Sequence, residues 1–358
     1  MENGEETLLK PLQGSGSPKR IEWIDCARCI ATFLVVYAHW RWRLGLPESN
    51  GHGLLHNYAY FSTLFGNVPF FLVLTGYFLG RNITWGKAWR RFVWLLIPFI
   101  LLNLAMYGAG RATGTLPPKG ICSIFGLGHL FTLGGPALDS AATVPVIVPS
   151  WFLRDVMLLS LAAPLLAKIK PIVMCAVCFA FSCLTFQVPL APTCVLNPGT
   201  CIFFATGVCL SNFSLEGCSR WVTRGRTLFF ALLFVAASVY SLYSVGCLRH
   251  GAEATLFGML AGACMIGYAG MAIERYLPRI STRMAACAPA CFFIYMMHHP
   301  ILTLIHAKGP QELVHSVPAL FLPVPVFFAL LFLFFAIRRL CPWLLPYVAL
   351  VKYKRPTT

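Results

Sequence analysis

Charged residues are scarce in this chain, and acidic residues are the scarcest of them. Only 11% of its 358 residues are charged, whereas 58% are hydrophobic, and 12 Asp and Glu stand against 28 Lys and Arg. A soluble globular domain carries about 25% charged residues. The composition therefore excludes that class and predicts an all-α, polytopic membrane protein. The basic excess predicts no nucleic-acid partner, because no DNA- or RNA-binding motif accompanies it.

Several familiar chemical motifs are also missing. The sequence contains no Ser-His-Asp arrangement and no glycine-rich phosphate loop. Its 15 cysteines fall mostly within apolar runs, where Cys behaves as a small hydrophobic residue. Two CxxC pairs, Cys26/Cys29 and Cys175/Cys178, have no convergent His or Cys partners in the sequence. We therefore predict no metal site and no bound cofactor.

Long apolar runs, in contrast, are abundant. About ten segments approach the ~20 residues that a membrane-spanning helix needs. They are 23–44, 58–80, 92–109, 150–168, 171–187, 196–212, 227–247, 253–273, 288–306 and 318–337. Most Lys and Arg fall on the side of these spans that carries the N-terminus, so the positive-inside rule predicts that both termini are cytoplasmic.

The flanks of this apolar region differ from it in composition. Residues 1–19 are polar and predict a disordered cytoplasmic tail. Residues 20–340 form the predicted transmembrane domain, and 341–358 a basic cytoplasmic C-terminal tail. The first apolar run is too long for the core of a cleavable signal peptide, and we interpret it as the first span.

The first span carries ionisable residues, although each charge at bilayer depth costs ~2.5–3.5 kcal/mol. Arg28 and His39 are eleven residues apart, which places them on one helical stripe, roughly 16 Å apart along the axis. Asp25 precedes Arg28 by three residues and can pair with it. Two simpler interpretations remain open: Arg28 could reach the headgroups, and His39 could hydrogen-bond a neighbouring helix.

A cluster of arginines follows the second span and begins the third. Arg81, Arg90 and Arg91 lie at the predicted cytoplasmic face. They are typical of charges that set topology. They could equally form a site for a phosphate-rich ligand that enters from the cytosol.

Two further pairs of polar neighbours lie within apolar segments. Arg154 and Asp155 are adjacent in the fourth span, so on a helix they diverge and we expect at least one to point into the bundle. His298 and His299 in the ninth span diverge by about 100° for the same reason. We expect one of these two histidines to face a cavity.

Taken together, five motifs resemble the integral-membrane acyltransferase 3 family, which includes O-acetyltransferases of bacterial surface glycans. "IEWIDCARCIATFLVVYAHW" resembles its opening helix, with Asp-x-x-Arg and Arg-x10-His supplied by Asp25, Arg28 and His39. "VPFFLVLTGYFLGR", "RRFVWLLIP", "SWFLRDVML" and "FFIYMMHHPIL" follow in the family's order. Thr75 stands where Ser is usual, and Arg154-Asp155 differs from the Glu-containing pattern of some members.

This resemblance implies a multi-pass protein of the bacterial inner membrane that moves an acyl group, usually acetyl, from acyl-CoA to a hydroxyl of a glycan or lipid-linked sugar. It implies catalytic roles for His39 and Arg28. The residues assigned to substrate binding are Arg81, Arg90, Arg91, His298, Arg154 and Asp25. Whether His39 acts as a base on the hydroxyl or first accepts the acyl group stays open.

Two other functions suit a charged helical bundle. One is a transporter or flippase of lipid-linked sugars, although the sequence shows no repeat of broken helices in two halves. The other is a non-catalytic partner of a glycan assembly machine. Hydrolysis of a CoA thioester by the purified protein would separate an enzyme from both.

Overall fold

The fold was analysed in a computed structural model. It describes residues 20–44, 66–80, 83–114, 116, 119–127, 145–170, 172–174, 176–177, 179–180, 198–211, 213–216, 220, 222–247, 251–310 and 321–351. Within these ranges the regular secondary structure is entirely helical. The predicted all-α class is therefore confirmed, while the tail 1–19 and Arg81 lie outside the described residues.

Ten helices of ten or more residues are found in these ranges. They are α1 (Glu22–Leu44), α2 (Asn67–Gly80), α3 (Trp85–Ala112), α4 (Ser150–Leu166), α5 (Pro198–Leu210), α6 (Arg224–Cys247), α7 (Gly251–Tyr276), α8 (Pro278–Cys287), α9 (Cys291–Lys308) and α10 (Pro323–Leu340). Short helices at Ile121–Ile124 and Leu345–Val348 and 3-10 turns at Ala288–Ala290 and Pro342–Leu344 complete the set.

Nine of these helices coincide with predicted apolar segments, whereas α8 lies between the predicted segments 253–273 and 288–306 and was not predicted. The segment 171–187 lies mostly outside the described residues. Three of the described helices are long and apolar enough to cross a membrane: Trp85–Ala112, Pro323–Leu340, and the continuous run Pro278–Lys308 that joins α8 to α9. The chain thus has the helices of a membrane protein. Ten spans and cytoplasmic termini remain predictions.

Local sequence explains where two of the helices begin. The Thr84 side chain caps α3 by accepting a hydrogen bond from the Lys87 amide at 3.4 Å. Pro278 begins α8, where its missing N–H costs no helical hydrogen bond. The first of these starts positions Arg90 and Arg91 near the beginning of α3. The second positions the helix that leads into α9, which carries His298.

Helix α1 is the centre of the bundle and packs against α2, α7, α8, α9 and α10. Near its N-terminal end Trp23 packs with Phe70 and Ile266. Near its C-terminal end Trp40 lies in a cluster with Phe334 of α10. Burial of such large side chains stabilises each contact by about 1.5–3 kcal/mol, and α1 is held along its whole length.

In the part of the chain that the structure describes, α2 and α5 approach each other closely and meet through glycines. A Cβ added to Gly76 would lie 2.1 Å from the Phe204 carbonyl oxygen, and one added to Gly207 would lie 2.1 Å from that of Val73. Backbones can approach this closely only where side chains are absent, as at small-residue contacts in membrane helices.

We expect Gly76→Ala to lower stability by about 1–3 kcal/mol, because the new methyl group must push α2 away from α5. Gly108→Ala is the matched control: Gly108 also lies within a helix, but nothing is within 4 Å of its added Cβ. That change should stabilise slightly, since Ala is the better helix former. Thermal unfolding of both variants in detergent tests the contact. Equal midpoints would show that α2 and α5 are not so closely packed.

The end of the chain folds back onto the bundle. Residues 341–351 belong to the segment predicted as a tail, yet Leu345 and Ala349 are buried in the cluster that contains Trp40. Leu350 follows with a positive φ of 55°. The apolar sequence "PWLLPYVALV" accounts for this packing, so the described part of the segment is an ordered cap on the bundle.

Candidate active site

The charged N-terminal turn of α1 is organised around one buried carboxylate. Asp25 accepts a hydrogen bond from Arg28 Nη1 at 3.4 Å, which confirms the predicted i,i+3 pair. It also pairs with Arg20, whose guanidinium donates to the Ala285 carbonyl. Asp25 therefore fixes Arg28 and ties α1 to α8, while the Arg28 side chain stays 39% exposed.

Three histidines meet at the other end of the same α1 stripe. The ring centroid of His39 lies 5.1 Å from that of His298 and 5.7 Å from that of His299. His298 is fully buried, and His39 is half-buried. The structure thus brings together two residues, His39 and His298, that the sequence analysis could assign only to separate helices.

The hydrogen bonds of His298 define the state of its ring. Its Nδ1 lies 3.0 Å from the carbonyl oxygen of Ile294. Because a carbonyl only accepts, we assign the proton of the neutral ring to Nδ1. Nε2 then carries a lone pair, and this buried atom has no hydrogen-bond partner among the described residues. The cluster therefore contains a nitrogen that can accept a hydrogen bond.

A cavity of about 470 Å³ opens at the arginine end of the bundle. Arg28 of α1 and Arg91 of α3 both line it, and its apolar wall includes Phe152 and Tyr295. Residues 349–351 of the ordered cap complete the lining. Two arginines far apart in sequence therefore share one concave site, which is a setting that suits an elongated anionic ligand with an apolar part.

The adjacent arginines of α3 differ in their surroundings. Arg90 is exposed, and its Nε donates to the Gly86 carbonyl at 3.2 Å. Arg91 turns into the cavity, where its Nε is buried without a hydrogen-bond partner among the described residues. Of this pair, Arg91 therefore presents a buried, unsatisfied donor at the cavity.

Tyr295 separates the cavity from the histidines, and the sequence analysis did not select it. Its ring centroid lies 6.1 Å from that of His298 and 5.6 Å from that of Phe152, and its hydroxyl donates to the Pro149 carbonyl. The i,i+3 spacing of Tyr295 and His298 was the available signal, since it places both on one face of α9.

Arg154 and Asp155 are both buried and pair with each other. Arg154 Nη2 lies 3.2 Å from Asp155 Oδ1, and its Nη1 donates to the Gly126 carbonyl at 2.6 Å. Asp155 also accepts from Thr200 at 3.4 Å. Neither residue lines the cavity. The sequence predicted that at least one of the two side chains points into the bundle, and both do. Through Thr200, the pair joins α4 to α5.

Fold and site together describe a class of protein: a helical membrane protein with a cationic cavity next to a buried histidine cluster. A family model described as an acyltransferase domain matches residues 21–338, nearly the whole chain. The chain belongs to this family, acyltransferase 3, and the resemblance found in its motifs is confirmed. No curated protein and no solved structure shows a significant match.

Proposed function

We propose that this membrane acyltransferase moves an acetyl group from acetyl-CoA to a hydroxyl of a sugar or glycan. The main observation behind this proposal is that Arg28 and Arg91 line one cavity. Tyr295 in the wall of this cavity lies next to His298, which in turn lies next to His39. CoA is polyanionic at one end and carries its thioester at the end of a long arm. The two arginines are suited to binding the phosphates of CoA. The histidines are suited to the reaction at the thioester.

Binding of the donor phosphates is assigned to the arginine end. A buried guanidinium donor without a partner is costly, and an anion that fills the cavity removes that cost with a charge-assisted hydrogen bond. Arg91 supplies such a donor, and Arg28 supplies a second cation oriented by Asp25. Arg81 is a further candidate from the sequence alone.

The acceptor hydroxyl is assigned to the histidine end. A hydroxyl is a weak nucleophile near neutral pH, and His is the side chain best suited to take its proton. In the direct route, His39 takes this proton while the hydroxyl oxygen attacks the thioester carbonyl. The C–S bond then breaks, and the CoA sulfur leaves with the proton from His39. His298, whose ring centroid lies 5.1 Å from that of His39, packs beside the His39 ring and helps to orient it.

The acceptor and its surroundings complete the proposal. The acceptor is a surface glycan or a lipid-linked sugar, reached in the bacterial inner membrane, and the acyl-CoA enters from the cytosolic, arginine-rich end. The transporter or flippase alternative has no support from the family match. No residue in the described part of the chain favours it over acyl transfer.

The test compares two adjacent arginines in an assay of CoA release that depends on an acceptor sugar. We expect Arg91→Ala to raise the KM for acetyl-CoA by about 10- to 100-fold, because a hydrogen bond to a charged group contributes about 1.5–3 kcal/mol. Arg90→Ala is the matched control and should leave this KM within about twofold, since Arg90 lies outside the cavity.

If Arg91→Ala and Arg90→Ala changed the KM for acetyl-CoA equally, the cavity would not be the site that binds the donor. Absence of CoA release by the unmodified protein, with several acyl donors and acceptors, would reject acyl transfer itself. Rapid CoA release in the absence of any acceptor, if it is lost in His39→Ala, would instead favour the route in which His39 first takes the acyl group.

A further inference from the structure

Two thiols from different helices meet at the edge of the donor cavity. Cys29 Sγ of α1 lies 3.7 Å from Cys291 Sγ of α9, and both residues are buried. Cys29 Sγ also lies 3.4 Å from the Met284 carbonyl oxygen. The mechanism described above uses neither thiol.

The two thiols differ in their access to the cavity. Cys291 is part of the cavity lining, as Arg28 is, whereas Cys29 does not line the cavity. One thiol therefore faces the space assigned to the donor, and the other serves it as a hydrogen-bond partner. Such an arrangement is expected of a reactive cysteine and its supporting group.

We propose that Cys291 is a site of S-acylation by the acyl-CoA donor, a proposal that rests on the assignment of this cavity to acyl-CoA. The Cys291 thiolate attacks the thioester carbonyl carbon and forms a new C–S bond. The bond between that carbon and the CoA sulfur breaks, and CoA leaves as a thiolate that takes up the proton lost by Cys291. One thioester replaces another, so the exchange needs no oxidant and no energy source.

Three physical features favour this exchange. Cysteine is intrinsically the strongest of the common side-chain nucleophiles, and a neighbouring cation favours its thiolate form. Arg28 supplies that cation at the cavity wall. Cys29 can turn its S–H from the Met284 carbonyl to the Cys291 sulfur and stabilise the charge as it develops.

The position of Cys291 on α9 connects it with the candidate active site. Cys291, Tyr295 and His298 occupy positions i, i+4 and i+7 and therefore share one face of the helix. Cys291 and His298 lie roughly 10 Å apart along the axis. The acyl group on Cys291 is thus held on the face that leads from the donor cavity to the histidines.

The test is mass spectrometry of the purified full-length protein in detergent after incubation with acetyl-CoA. Free thiols are alkylated, the chain is digested, and each cysteine peptide is measured before and after neutral hydroxylamine, which cleaves thioesters. We expect acetyl on Cys291, released by hydroxylamine, and its loss in Cys291→Ser. Cys29→Ala, which removes the neighbouring donor, should slow the labelling of Cys291 by about tenfold, and Cys29 of the unmodified protein should carry no label.

Two further variants keep the result interpretable. Cys264→Ser is the matched control, because Cys264 is exposed and does not line the cavity. In this variant Cys291 should be labelled as strongly as in the unmodified protein. His39→Ala should still be labelled at Cys291, since the exchange uses only the donor cavity. Thermal unfolding of each variant identifies any that fails to fold.

The outcomes separate this proposal from the proposed function. Unlabelled Cys291 in a protein that still transfers acetyl to an acceptor would overturn S-acylation and leave the function intact. Thioester labelling that persists in Cys291→Ser would also overturn it. So would labelling of Cys291 that is lost in His39→Ala. Absence of both labelling and acyl transfer would reject the assignment of the cavity to acyl-CoA, and S-acylation with it.

Discussion

Replacing His39 with alanine is expected to lower kcat for acyl transfer by about 10²–10⁴-fold, the usual contribution of a positioned acid–base group. The KM for acetyl-CoA should change little, because Arg28 and Arg91 line the cavity and His39 does not. Acceptor-dependent CoA release, measured over a range of donor concentrations, separates these two constants.

A histidine outside the cluster provides the comparison for this prediction. His306 lies in the last turn of α9, two turns beyond His298, and His306→Ala should retain kcat within about twofold. If His39→Ala kept the same rate as the unmodified protein, the proton transfer would have to be reassigned. His298→Ala would then be the next variant, since its Nε2 has no hydrogen-bond partner among the described residues.

Replacing Asp155 with asparagine is expected to lower the free energy of unfolding by about 3–5 kcal/mol, the cost of leaving a buried charge without its partner. The new side chain has nearly the same shape but no charge, so Arg154 stays buried and loses its carboxylate counter-ion. Thermal or denaturant unfolding in detergent measures the loss. The KM of the folded fraction for acetyl-CoA should be unchanged.

The double variant Arg154→Met, Asp155→Leu is the control for this interpretation. It removes both charges together and should recover most of the lost stability, because apolar residues of similar volume often replace a buried ion pair without cost. A fully stable Asp155→Asn protein with a raised KM would contradict the structural role. It would return Arg154 to substrate binding, as the sequence analysis predicted.

The amino-acid sequence alone determined the class of protein and the stripe on α1. Apolar runs of sufficient length can satisfy their backbone hydrogen bonds in lipid only as helices or closed barrels, and most residues of these runs that the structure describes are helical. Helical periodicity also predicted the Asp25–Arg28 pair correctly, because residues three apart on one helix are neighbours whatever surrounds them.

Contacts between helices were decided only by the tertiary structure. Periodicity defines which residues share a face of one helix, but it does not define which helix that face meets. The sequence therefore could not place Arg91 with Arg28 at one cavity, His298 against His39, or Cys291 against Cys29. It also could not distinguish Arg90 from Arg91, because adjacent residues turn about 100° apart and only the packed bundle shows which direction is inside.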